Sequence, residues 1–409
     1  MSSKPKRNVF TTAAVDNIDH NTSSTTAITS FHGISISLIQ HPNEDVEGVS
    51  NAIIKRKNLS PAKTIAPLPF SYTDILPLPS QKQGGLKVPS TSTQCSLKGD
   101  KEAVLMATRK ETEWLDHTTK HLEENKVTDY ENVTTLLTKT AGNGKAASKK
   151  TETMVSRSAY HGERQQQVNT RCESSSLPLF AECVHSLAMI KHAITVVMKA
   201  VKHLNPGQTA VIAFDQPLFV LAKEIQWRHP DTMGEDKLVI MLGGLLIELA
   251  VLKAIGSWLS GSGWTEAVAK AGITSTGRAE SLVTSAHITR TRYAHQVTAS
   301  SLYILQQRAY KKHLDSVEDA YSFPDWCKDQ SKKIPQFQFW NITLKFELLI
   351  LILVRSFRQS DFMLYLSALM AITPWMFALD CTNYARWLPV HKRDMAELPN
   401  KHPLQGPTP

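Results

Sequence analysis

The spacing of its apolar material limits most strongly how this chain can fold. Two β-rich stretches fill residues 8–40, and the next continuously apolar segment starts only near Leu177. Seven of the eight tryptophans lie beyond position 200, so the core material belongs to the C-terminal half. The first strands must therefore be completed by strands that follow a long polar insertion. In the first stretch NVFTTAAVDNID is β-rich, HNTSSTTAITS reads as a turn-like run, and FHGISISLIQ alternates apolar with small polar residues. From about 43 to 176 the chain is punctuated by proline (PAKTIAPLPFSYTDILPLPS) and by flexible strings. A loosely ordered insert is expected there, with one or two charged helices within Lys101–Thr138.

Beyond Leu177 the periodicity changes. Leu179, Val184, Leu187, Ile190, Ile194, Val197 and Val201 recur at helical spacing and predict a helix over 183–203, ended by Asn205-Pro206-Gly207. A β-branched strand with Asp215 at its end, a helix through Leu221–Trp227 and an apolar strand over 237–242 follow. Gly243 and Gly244 break that strand, and an apolar helix runs on to the turn at 261–263. Residues 264–378 read as helical, with loops around 272–278 and 315–336. The expected organisation is first strands at 1–42, insert at 43–176, main α/β core at 177–260, all-α block at 261–372, and a final core helix with tail at 373–409.

Composition closes off several classes. Apolar residues are 42% and charged residues 20% of the chain. Five cysteines (95, 172, 183, 327, 381) show no CxxC or Cys/His metal spacing and are too scattered for a disulfide scaffold. The net charge of +9 favours anionic partners such as nucleic acid. MSSKPKRNVF lacks an apolar stretch behind its basic residues and is not a secretory signal, so a nuclear or cytoplasmic location is expected. Phe362–Leu379 runs eighteen residues without a charge, just long enough to cross a bilayer, and 342–379 is the region for a membrane-associated alternative. A core helix is the expected reading. No Walker loop, GxGxxG, GxSxG or kinase signature occurs, and His117 and His121 lack the HEXXH context of a zinc helix.

The candidate chemistry rests on carboxylates. Asp16 and Asp19 leave the end of a predicted strand, where they can ligate a metal or solvate a turn. Asp215 stands where a buried strand stops, at the sheet edge where α/β folds place ligands, and also where a helix cap is needed. Taken together, an aspartate on a first strand and another on a later strand after a crossover helix match a ribonuclease-H-like mixed sheet. Such a sheet holds two divalent ions about 4 Å apart, which clamp the attacking and leaving oxygens of a phosphodiester. Asp16, Asp19 and Asp215 are the expected metal ligands, for Mg²⁺ or Mn²⁺, and Asp380 the third catalytic acid on chain order. Glu248, in GGLLIELAVLK, is the alternative third acid. Arg290, Arg292 and His295 in HITRTRYAHQ, with Arg386, Lys392 and Arg393 near Asp380, are the expected contacts to a nucleic-acid backbone, DNA first.

The wording of several stretches also resembles a multi-copy set of uncharacterised, transposon-like animal proteins. NPGQTAVIAFDQPLF, GEDKLVIMLGGLLIELAVLKAIG, HITRTRYAHQVTASSLYILQ and ALDCTNYARWLPVHKRDM carry it, and with residues 10–40 it covers over half of the chain. The resemblance implies an origin in a mobile element. Leu246 stands where the set has a histidine, and the chain begins and ends closer to its core than the set does. Both departures favour an alternative, a non-catalytic nucleic-acid- or protein-binding remnant.

Overall fold

The computed structural model describes residues 5–21, 30–42, 48–50, 68–78, 102–109, 111–113, 115–116, 172–180, 186–317 and 321–402. It is a mixed α/β arrangement followed by an all-helical block, and the chain divides into two compact units. The first comprises residues 1–91, 166–246 and 393–409, the second 92–165 and 247–392.

In the first unit, short strands β1 (Lys6–Arg7) and β4 (Val49–Ser50) pair with each other. The main sheet contains β2 (Phe10–Asn21), β3 (Ser30–His41), β5 (Glu173–Ser176), β6 (Ala210–Phe214) and β7 (Leu238–Leu242), in the order β5-β3-β2-β6-β7. β2 and β3 run antiparallel over their whole lengths, from Phe10↔His41 to Asn21↔Ser30. β3 and β5 are antiparallel, whereas β6 lies parallel to β2 and β7 parallel to β6. The period of two is plain: Thr11, Ala13 and Val15 are buried on one face, and Ile34, Ile36 and Leu38 answer them on β3.

Four-residue helix α1 (Phe70–Thr73) precedes β5. The parallel strands need crossovers, supplied by α2 (Leu187–Leu204) and α3 (Gln216–Arg228). Ser186 caps α2, accepting from the Met189 N–H at 3.1 Å, so the helix starts later than its apolar spacing suggested. Leu179 consequently lies outside it and is exposed. Helix α3 begins at Gln216, where Asp215 caps it with Pro217 in the first turn. Short α4 (Pro230–Met233) leads into β7.

The remaining helices are α5 (Gly244–Leu259), α6 (Trp264–Lys270), α7 (Thr276–Val283), α8 (Ile288–Leu314), α9 (Phe323–Lys333), α10 (Pro335–Arg358), α11 (Phe362–Ala378) and α12 (Thr382–Lys401). The loop expected at 315–336 is mostly helix α9. Ser322 caps it, Pro324 sits in its first turn, and Trp326 is buried. Gly256 lets α5 approach α7, since a Cβ there would lie 2.2 Å from the Val283 carbonyl oxygen.

Beyond β4 and α1, two further parts of the expected insert are ordered structure. Residues 173–176 form edge strand β5. Residues 102–109, 111–113 and 115–116 are helical and belong to the second unit, with Leu115 buried among Ala299, Tyr303, Leu344, Leu348, Leu351 and Val354. Helix α10 is long and apolar enough to cross a membrane by length and composition, and most of it is buried among its neighbours.

Candidate functional site

The two aspartates that motivated a catalytic reading both belong to the first unit. The last paired positions of β2 and β6 are Val15↔Phe214. One step further along both strands stand Asp16 and Asp215. Adjacent paired strands are about 4.8 Å apart, and the pairing of these two ends one residue before the aspartates. Asp16 shares its face with Thr12 and Ala14, opposite to buried Val15, and is exposed. Asp215 keeps extended backbone angles (φ −68°, ψ 170°), so its side chain starts from the same face as Ala213, the register partner of Ala14.

Asp215 is a helix cap at the sheet edge. Its Oδ1 accepts the Leu218 N–H at 2.9 Å, a helix cap, at the carboxyl end of β6. Beside it, Gly243 follows β7 and its N–H donates to the Phe214 carbonyl oxygen at 3.1 Å. Asp19 pairs with His32 in the β2–β3 ladder, but its side chain lies outside the described residues. Among the described residues no group of three or more His, Cys, Asp or Glu side chains could hold a metal ion. The donor chemistry of Asp16 and Asp215 suits a hard divalent ion, because both offer carboxylate oxygens from neighbouring strands.

The other candidates occupy different environments. Asp380 is exposed at the turn between α11 and α12, in a left-handed conformation (φ 52°). Glu248 is buried on α5, and both its oxygens are taken by Arg292, at 2.6 Å to Nε and 2.6 Å to Nη2. This bidentate pair answers two expectations at once. The acid has its counter-charge, which removes it as a third metal ligand, and the arginine's fork faces inward rather than toward a phosphate.

His295 is also internal. It is buried on α8, stacks on Trp264 with centroids 5.1 Å apart, and shares a 2.8 Å hydrogen bond with Glu347. Burial pushes the Glu347 carboxyl up, and His295 pulls it back only in part. Arg393 and Lys392 are buried as well. Arg393 bonds Glu235 at 2.5 Å and also pairs with Asp394. His295, Lys392 and Arg393 thus have no surface on which to meet a nucleic acid, and the half-buried Arg292 is engaged by Glu248. Arg386 is exposed and Arg290 half-buried, both still at the surface.

Sequence reasoning missed the polar centre of the first unit. Lys223 on α3 bonds Glu235 at 2.9 Å, Asp394 on α12 at 2.9 Å, and the Gln226 side chain. Trp227 Nε1 donates to Glu235 at 2.9 Å, and Lys401 reaches its second oxygen at 2.7 Å. Burial alone would push the Glu235 carboxyl up. The Lys223 charge, with hydrogen bonds from Lys401, Trp227 and Lys223, outweighs it and holds Glu235 well below the usual carboxylate range. The network ties the end of α12 to α3 and the start of β7. Its only trace in the sequence is the density of charge in HKRDMAEL, which looks the same on a solvated face.

The profile of a family described as a domain of unknown function (DUF8702) matches residues 158–321. That span includes Asp215, Glu248 and Arg292 but not Asp16. No curated protein matches the chain, and no solved structure does.

Proposed function

We propose that the first unit is a ribonuclease-H-like core of a transposon-derived protein, acting in metal-dependent cleavage or strand transfer of DNA. The observation that carries this reading is the parallel register of β2 and β6, which ends at Val15↔Phe214, with Asp16 and Asp215 the next residue of each. The sheet supports it: three antiparallel strands come first in the chain, and two strands parallel to the first are added beside it through helical crossovers. The helical block following β7 suits an insertion before a final core helix, since residues 393–409 belong to the same unit as the sheet.

Asp16 and Asp215, both in the first unit, would hold Mg²⁺ or Mn²⁺. The ion, when bound, would activate water or a DNA 3′-hydroxyl and offset charge on the attacked phosphodiester. Asp215 is oriented by its hydrogen bond from Leu218, so one carboxylate oxygen is fixed before any ligand arrives. Asp16 lies on a long central strand and pairs with Ser35 of β3. Arg290 and Arg386 would follow a nucleic-acid backbone without reading bases, in a nuclear or cytoplasmic protein.

The test is cleavage or joining of labelled DNA by the full chain with Mg²⁺ or Mn²⁺, alongside Asp16→Asn and Asp215→Asn. Asparagine caps a helix about as well as aspartate, so Asp215→Asn leaves α3 intact. Both variants should lose activity and keep their melting temperature; activity retained in both excludes the mechanism. A second reading is a non-catalytic binding remnant. It draws on the lack of a three-residue metal cluster among the described residues, and it expects DNA binding indifferent to divalent ions.

A further inference from the structure

The second unit contains a cavity of about 540 Å³, between α6, one face of α8 and the first turns of α10. Val297, Ser301, Leu305 and Ala309 line it at four-residue intervals, a floor about 18 Å long at 1.5 Å per residue. Trp264, Phe337 and Trp340 form its aromatic walls. No charged side chain among the described residues lines it.

Three observations separate this cavity from a gap left by loose packing. Its aromatic walls are held from behind: Trp264 stacks on His295 and donates to the Thr298 hydroxyl at 2.8 Å, Trp340 meets Phe339 at 5.0 Å, and Phe337 meets Trp326 at 5.4 Å. Two of the polar side chains in the lining are committed inward: Thr298 donates to the Ala294 carbonyl at 2.8 Å and Gln306 to Asn341 at 3.3 Å. Its volume falls within the roughly 300–1,000 Å³ of sites that take small molecules.

We infer that this cavity is a binding site for a neutral, elongated apolar small molecule, aromatic or alkyl, with at most one hydrogen-bonding group. Neutrality follows from the uncharged lining. An ionised head placed inside would lose its hydration with no counter-charge to meet it. Elongation follows from the 18 Å floor, and the indole and phenyl faces favour flat or flexible apolar bodies. The inference is independent of the proposed nuclease reading, because Asp16 and Asp215 belong to the other unit.

The experiment is titration of the full chain with N-phenyl-1-naphthylamine, read by probe emission and by energy transfer from tryptophan. One saturable site per chain is expected. Dodecanol should displace the probe, and Ser301→Phe, which fills the cavity floor, should weaken binding at least tenfold with the circular dichroism unchanged. Ala309→Trp, at the exposed end of the floor, serves in its place if Ser301→Phe does not fold. Binding that never saturates, a probe that dodecanol cannot displace, or wild-type affinity in a folded filled variant overturns the inference. Failure to saturate would leave the groove as a face for another polypeptide.

Discussion

Glu235 offers the sharpest test of the energetics. The cluster around it contains two almost fully buried cations, Lys223 with 1% of its side chain exposed and Arg393 with 2%, facing Glu235 at 17% and Asp394 at 11%. Glu397 and Lys401 neutralise each other nearer the surface. Replacing Glu235 by glutamine removes the carboxylate that bonds both buried cations. Breaking a buried pair this way costs about 3–5 kcal/mol, because the uncompensated charge has little water to turn to. Lys223→Met leaves the excess on the two acids instead, which are better solvated and still beside Arg393 and Lys401. The methionine stem refills most of the space, so about 1–2 kcal/mol is expected. Urea unfolding of both variants, followed by tryptophan emission, measures the difference; Trp227, which bonds Glu235, lies within the cluster. A Lys223→Met loss equal to or larger than that of Glu235→Gln would refute the charge argument. It would shift the credit to the lysine's packing and to its cation–π contact, 5.3 Å from the Trp227 ring.

Four further outcomes are expected. Because Glu235 is held below its ordinary range, the unfolded chain takes up a proton near the ordinary value of 4.5 while the folded one does not. Its contribution is therefore complete above that value and lost as pH falls below it, and Glu235→Gln should flatten the acid limb of a stability–pH curve. His295→Leu leaves the Glu347 carboxyl buried without its partner and should cost about 3 kcal/mol at neutral pH, recovered in part on acidification, as thermal melts at two pH values would show. Leu115→Ala empties a site in the helical core and should cost about 2–5 kcal/mol, with hydrogen exchange rising first in 102–116. Gly256→Ala drives a methyl into the Val283 carbonyl and should lower the melting temperature by several degrees, whereas the same change at Gly277, which meets nothing within 4 Å, should not.

Much of this architecture is legible in local sequence. The β2–β3 pair, the strands ending at Phe214 and Leu242, and the α2 and α5 helices announce themselves because each buries one face or the whole of a short segment, and its period records that. Asp215 was marked as both cap and edge residue by its place between an apolar strand and a proline. Strand β5 escaped notice because Glu-Ser-Ser-Ser carries no apolar alternation; an edge strand is held by backbone hydrogen bonds to β3, which side-chain patterns do not register. The 102–116 segment looked like a charged surface helix because Glu111 and Asp116 find their partners, Arg355 and Tyr303, some two hundred residues away.

The same cause separates the charges that remain on the surface from those that do not. Arg290 and Arg292 stand two positions apart on one helix, yet only Arg292 is engaged by buried Glu248. Arg386 and Arg393 share another helix, and Glu235 and Asp394 take only the second. By itself the sequence determined where strands and helices run and which acids end strands, since those depend on neighbours a few residues apart. Tertiary structure alone decided which charged side chains are internal, because a charge looks the same in sequence whether water or a distant carboxylate neutralises it.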